Sequence, residues 1–296
     1  DILYKGRLDG VQYLEVLPKV SALYDFGGGA NNVFATISKG YRSGGYNTQI
    51  FADILQNKMM NGLMGDLGVY LDNAPAEMDA ETTAYRPEKS WNFEAGGHFD
   101  KWIGGGHLSG SASAFYILCR DQQITIFPPG MSTGRMMANV GRSRSIGAEA
   151  TLSYGYKGLS LTAAYGYTDA RFTSYDDGNN DYSGNRIPYS PEHTLNFRAG
   201  YLFALTNSSV VRNISVNADC NGIGRIWWDE ANQFVEPYIA QIGADISVAF
   251  RWFDLRFRMD NILNEDYNVF YFKSVGNNFF QRGKPLRWNI GINISL

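Results

Sequence analysis

Asp254 and Asp260 are the carboxylate pair that most invites a test for acid–base chemistry, because alternation puts both on one face of an extended segment. Six residues of strand separate them by roughly 20 Å, too far for two carboxyls to flank one bond. His98, His107 and His193 fall on separate strands or strand boundaries, with His193 at the opposite end from the other two, so they cannot share a metal. Cys119 and Cys220 are far apart and read as isolated thiols. Residues 176–181 (DDGNND) are rich in acceptors but lack calcium-loop spacing and its closing Glu, which favours a solvated turn. No nucleophile stands beside a base, and no Gly-rich turn opens a helix. The expectation is therefore no enzyme, no metal and no cofactor.

The elements that carry these residues are strands. In the last segment, 286–296, Leu286, Trp288, Ile290, Ile292, Ile294 and Leu296 alternate with Arg287, Asn289, Gly291, Asn293 and Ser295. A strand has this period of two because successive side chains point to opposite faces. Phe253, Leu255, Phe257 and Met259 alternate with Asp254, Arg256, Arg258 and Asp260 in the same way. Similar alternation marks residues 17–26, 33–46, 90–99, 107–126, 135–154, 159–175, 193–205, 213–228 and 237–250, giving about 11 or 12 strands, most of them longer than the usual five or six residues. A strand-like piece at 269–272 sits within the loop 264–284.

Connections alternate between short (27–32, 100–106, 155–158, 206–211, 251–252) and long (47–89, 127–134, 176–191, 229–235, 264–284). Short turns at one end and long loops at the other are the pattern of an antiparallel transmembrane β-barrel, with turns periplasmic and loops extracellular. Tyr and Gly are abundant (19 and 33), and no apolar run approaches the roughly 20 residues of a membrane helix. The net charge of −3 with scattered basic residues gives no reason to expect nucleic acid.

In such a barrel the apolar face meets outer-membrane lipid. The opposite face carries Arg198, Asp254, Arg256, Arg258 and Asp260, with Asn196, Asp219 and Asn293. An Arg facing lipid at the midplane costs roughly 2–4 kcal/mol, so these side chains are expected to face a wet lumen or a folded domain within it. Trp102, Tyr154, Tyr156, Trp252 and Phe253, near short turns, fit a periplasmic aromatic girdle; Tyr167, Trp227 and Trp228 fit the opposite one, with one of the adjacent Trp pair turned inward.

Seven stretches, in order along the chain, resemble motifs of the TonB-dependent outer-membrane receptors: LPKVS (17–21), SKGYRSGGYN (38–47), YRPEKS (85–90) with Glu94, DQQ (121–123), IGAEA (146–150), GNRIPYSPEHT (184–194) and DNILNEDY (260–267). The resemblance implies residues 1–296 to be the C-terminal portion of a barrel of about 22 strands. The plug domain and the segment that meets TonB have no counterpart here, and Asp1-Ile2-Leu3-Tyr4 reads as cut from a longer sequence. The chain ends in Leu296, where many outer-membrane proteins end in an aromatic.

The family implies a ligand held by extracellular loops and the upper lumen. Arg42, Tyr46, Gln123, Arg171, Tyr182, Arg186, Trp227, Trp228 and Arg282 fall there by topology. Guanidiniums and rings suit an anionic, ring-bearing metal chelate, through charge-assisted bonds and stacking. The expected function is uptake of a scarce bulky nutrient, a ferric siderophore foremost, coupled to TonB through a plug. The haem-receptor loop motif NPNL is absent before Tyr85, against haem. Two alternatives are a small stand-alone passive channel and a non-transporting barrel that presents loops to a protein partner.

Overall fold

The computed structural model describes residues 14–26, 30–47, 84–126, 136–177, 179–205, 210–274 and 277–294. Much of the expected loops 47–89 and 127–134, and parts of the turns 27–32 and 206–211, lie outside these residues. The strands are β1 (Lys19–Asp25), β2 (Asn32–Arg42), β3 (Gly45–Tyr46), β4 (Ala84–Tyr85), β5 (Glu88–Ile103), β6 (Gly106–Ile126), β7 (Met136–Tyr156), β8 (Leu159–Ser174), β9 (His193–Ala204), β10 (Val211–Gly224), β11 (Ile226–Trp227), β12 (Val235–Glu236), β13 (Ile239–Phe250), β14 (Phe253–Asp260), β15 (Asn268–Ser274), β16 (Asn277–Arg282) and β17 (Arg287–Ile294).

Eleven strands form one antiparallel sheet in the order β1-β2-β5-β6-β7-β8-β9-β10-β13-β14-β17. Each long strand pairs with its chain neighbour, as a meander must. The sheet is open among the described residues: β1 and β17 are its edges and do not pair with each other. Three two-stranded ribbons, β3–β4, β11–β12 and β15–β16, stand on the loop end. The segment expected as one strand over 213–228 stops at Gly224, and its continuation β11 pairs with β12 instead. The expected loop 264–284 contains the ribbon β15–β16, because Phe270 to Ser274 finds a register against Asn277 to Gln281.

Register carries the two faces across the sheet. One row joins Leu161, Ala199, Ala218, Ala244, Met259 and Trp288. The neighbouring row, one residue on and therefore on the other face, joins Ser160, Gly200, Asn217, Asp245, Arg258 and Asn289. The apolar face is uncovered: Trp288, Ile290, Ile292 and Ile294 are 60–68% exposed. Among the described residues no second sheet packs against it, as one would in a sandwich, and lipid is the solvent that such a face suits. The buried apolar clusters are small and lie toward the loop end, around Val140, Phe172 and Tyr175 and around Ile226, Trp228 and Tyr271.

The short-turn end is tight. Gly104 and Gly105 alone link β5 to β6, and both have positive φ (62° and 79°), which a two-residue hairpin of this hand requires. Trp102 and Trp252 stand exposed beside short turns, as a girdle would.

Candidate ligand-binding mouth

At the loop end the sheet continues past β9 through residues 184–192. Phe172 N–H donates to Asn185 O (3.0 Å), Gly184 N–H to Phe172 O (2.8 Å) and Ile187 N–H to Ala170 O (3.1 Å). On its other side Tyr189 N–H donates to Trp227 O (2.8 Å) and Glu192 N–H to Arg225 O (3.0 Å). The segment thus acts as a rung between β8 and β11, and sets Arg186 opposite Arg171.

That rung gathers an ion-pair network. Asp169 receives Arg171 Nε at 2.8 Å, Arg186 Nη1 at 3.1 Å and Arg144 Nη2 at 3.6 Å. Arg186 Nη2 reaches Glu192 Oε1 at 2.8 Å, and Arg225 Nη2 reaches Glu192 Oε2 at 2.8 Å. The Arg186 guanidinium also lies 4.9 Å over the Trp227 ring, with Arg225 at 5.7 Å. Arg144 and Arg171 share a cross-strand row with Trp91 and Leu118, the apolar face. Arg171, Arg186 and Trp227 are therefore brought together, at the loop end of the face of the sheet that carries the apolar row. Arg186, with side chain 12% exposed, is engaged by its own carboxylates.

The other expected binding residues separate. Gln123 is buried and donates through Nε2 to Ser43 O (2.9 Å) and Arg86 O (3.0 Å), which ties the β2–β3 and β4–β5 connections to β6. Tyr182 packs on Tyr175, ring centres 5.1 Å apart, and its hydroxyl donates to Asp177 Oδ2 at 3.1 Å. Trp228 is the buried member of the Trp pair, packed with Ile226 and Tyr271. Arg282 forms an ion pair with Asp266. Arg42 ends β2 opposite Glu88, exposed, and Tyr46 pairs with Ala84 in the β3–β4 ribbon.

The acidic turn closes on itself. Asp177 Oδ1 accepts the N–H groups of Asn179 (2.8 Å) and Asn180 (2.7 Å), and these bonds hold its carboxyl below the usual range. Asp181 Oδ1 accepts Ser183 N–H at 2.8 Å, and the Ser183 hydroxyl and N–H together hold its carboxyl below the usual range. Among the described residues there is no cluster of three or more His, Cys, Asp or Glu able to hold a metal. The three His have separate partners: Asn32 for His98, Asp100 for His107 and Tyr165 for His193.

The polar face carries a charge ladder. Arg258 donates to Asp219 (2.9 Å), Asp260 (2.7 Å) and Asp245 (3.2 Å); Arg256 donates to Asp245 (2.8 Å) and Arg287 to Asp260 (3.1 Å). Arg198 stands opposite Asp219, and Asp254 pairs with Arg212 at 3.4 Å. Arg198, Asp254, Arg256, Arg258 and Asp260 therefore share one wall, opposite the apolar belt.

A family model described as TonB dependent receptor-like, beta-barrel, matches residues 4–262. The chain belongs to this family. It is a family of receptors and not of enzymes. The TonB-dependent receptor barrel also resembles solved structures at low identity. The ferric yersiniabactin uptake receptor FyuA from Yersinia pestis shares 18% identity at a TM-score of 0.70, over 95% of this chain and 37% of that one. The siderophore receptor PiuA from Acinetobacter baumannii shares 17% at 0.64, over 93% and 35%. The ferric citrate transporter FecA, unliganded, shares 20% at 0.62, over 93% and 37%. At these identities the likeness is one of fold, and the chain spans little more than a third of each of these relatives.

Gln123, among the expected ligand residues, also lines a cavity at the loop end, with neighbours that were not expected there. This cavity, of about 400 Å³, is lined by Gln122, Gln123, Ile124, Thr125, Ile187, Pro188, Tyr189, Glu230 and Phe270. Tyr189 lies in the GNRIPYSPEHT stretch, which flagged the segment but not the side chain. Nothing local marks Glu230 or Phe270, which meet β6 only through the fold.

Proposed function

We propose that residues 1–296 are the C-terminal portion of the barrel of an outer-membrane TonB-dependent receptor for a ferric siderophore. The observation that carries this reading is the open 11-stranded sheet, lipid-suited on one face and charged on the other, in a chain that belongs to the receptor family. Two edges, unpaired among the described residues, call for further strands, since exposed backbone groups in hydrocarbon cost several kcal/mol each. A complete barrel of about 22 strands would supply them. The charge ladder on β10, β13, β14 and β17 would face a plug, which relays ligand arrival to TonB. The loop-end ribbons and the cavity beside them would hold part of the ligand.

The test uses the full-length protein in its own cells under iron limitation. Uptake of radio-iron as ferric siderophores is expected, and it should fall to background when TonB is deleted. Uptake that persists without TonB, together with solute conductance by the purified protein, would favour the passive channel instead.

A further inference from the structure

The cavity beside Glu230 differs in chemistry from the arginine-rich surface around it. Glu230 is the one charged side chain among the described residues that line it. Burial raises the pKa of Glu230, and the carboxylates of Asp229 and Asp177 add to the rise. Gln122 Oε1, in the same wall, is buried and makes no hydrogen bond among the described residues. Gln123 has its amide donors committed to Ser43 O and Arg86 O. The wall therefore offers acceptors and negative charge, and none of the described residues that line it is a cation. Ile124 and Ile187 supply apolar surface, and the rings of Tyr189 and Phe270, which also line the cavity, have centres 6.1 Å apart. A buried unpaired acceptor is costly, so a ligand that satisfies it gains affinity. Aromatic faces beside an acid attract a cation in particular.

We propose that this cavity binds an ammonium-bearing arm of the ligand, with Glu230 as counter-ion, Gln122 as second acceptor after a small turn of its amide, and Tyr189 and Phe270 flanking the chain that carries the charge. The inference rests on the receptor reading in taking the arm to belong to the transported chelate. It makes that chelate basic at this end, whereas Arg171 and Arg186 are spent on Asp169 and Glu192.

The experiment uses the full-length receptor in detergent and two small probes, 2-phenylethylammonium and its neutral N-acetyl derivative, read by saturation-transfer NMR. The charged probe is expected to bind at least about tenfold tighter than the neutral one. E230Q should abolish that difference, and Q122A should reduce it. Equal binding of the two probes to the wild type, or binding of neither, overturns the proposal without recourse to any variant. A charged preference that survives E230Q in a protein with wild-type thermal unfolding overturns the role of Glu230. If the charged probe binds selectively but no ferric chelate is taken up, the receptor reading fails and the site stands. If chelates are taken up but the probes are not distinguished, the site fails alone.

Discussion

Arg258 on β14 reaches across the whole width of β13 to Asp219 on β10, Nη1 to Oδ1 at 2.9 Å. The crossing is possible because Gly243 lies between them. A Cβ there would meet Arg258 Nη2 and Asp219 Oδ2, each at 2.9 Å. Gly243→Val should therefore push the guanidinium off Asp219 and lower stability by roughly 1–3 kcal/mol. Urea unfolding of the full-length receptor in detergent measures this; an unchanged midpoint would mean that the ladder tolerates the loss of its longest link.

The two faces make opposite predictions for adjacent residues. Ile290 lies in the apolar row with Phe257, and Asn289 in the polar row with Arg258. Ile290→Arg should cost roughly 2–4 kcal/mol if it meets hydrocarbon near the midplane. Asn289→Arg should cost far less. The yield of heat-modifiable, folded receptor in outer-membrane fractions distinguishes them, and equal yields would contradict the assignment of faces.

Arg186 is the shared cation of Asp169 and Glu192, at 3.1 and 2.8 Å. Glu192 has a side chain only 6% exposed, so Arg186→Ala strands a largely buried carboxylate beside Arg225 alone. A cost of roughly 3–5 kcal/mol is the magnitude for breaking such a pair. Because the network pins the 184–192 rung, the loss should appear first as faster protease cleavage of this segment on intact cells. Arg186→Lys keeps the charge but not the two-ended reach, and should fall between the two.

Gln123 closes two chain segments with one amide. Gln123→Ala removes the bonds to Ser43 O and Arg86 O and should lower the thermal midpoint, by roughly 1–3 kcal/mol for the carbonyls left unsatisfied. Glu88 Oε2 accepts the backbone N–H of residue 123 at 2.7 Å and is unaffected by the change. A larger loss in Gln123→Ala than in Glu88→Gln would assign the tether to the side chain.

The acidic turn should loosen in acid. Asp177 is held below its ordinary pKa by the N–H groups of Asn179 and Asn180. The folded turn thus binds fewer protons than the open one, so its contribution is present above the unfolded value of about 4 and is lost as pH falls through the lower folded pKa. Asp177→Ala should make the segment more cleavable at neutral pH by an acid-tolerant protease, and the two proteins should converge at the acid end. A difference that persists there would give the turn another anchor.

Much of the architecture was legible locally. A period of two is written into each strand, so the apolar run of Trp288, Ile290, Ile292 and Ile294 and the charged run of Asp254, Arg256, Arg258 and Asp260 announced their faces before any register was known. The spacing of short and long connections gave the meander, and seven ordered motifs gave the family. The ribbon β15–β16 was half legible, since Val269 to Phe272 reads as extended while its partner begins in polar residues.

The mouth was decided only by the tertiary structure. Topology could say that Arg171 and Arg186 belong to the loop end, but not that a rung of 184–192 would set them opposite each other and hand both to Asp169. Nor could it pair Gln122 of β6 with Glu230 across more than a hundred residues of chain. Alternation is a property of one strand and survives in sequence. The meeting of side chains from β6, from 187–189, from 230 and from β15 depends on register between strands and on how loops return, and no single segment encodes that. The residue types of the site were therefore visible, and their partners were not.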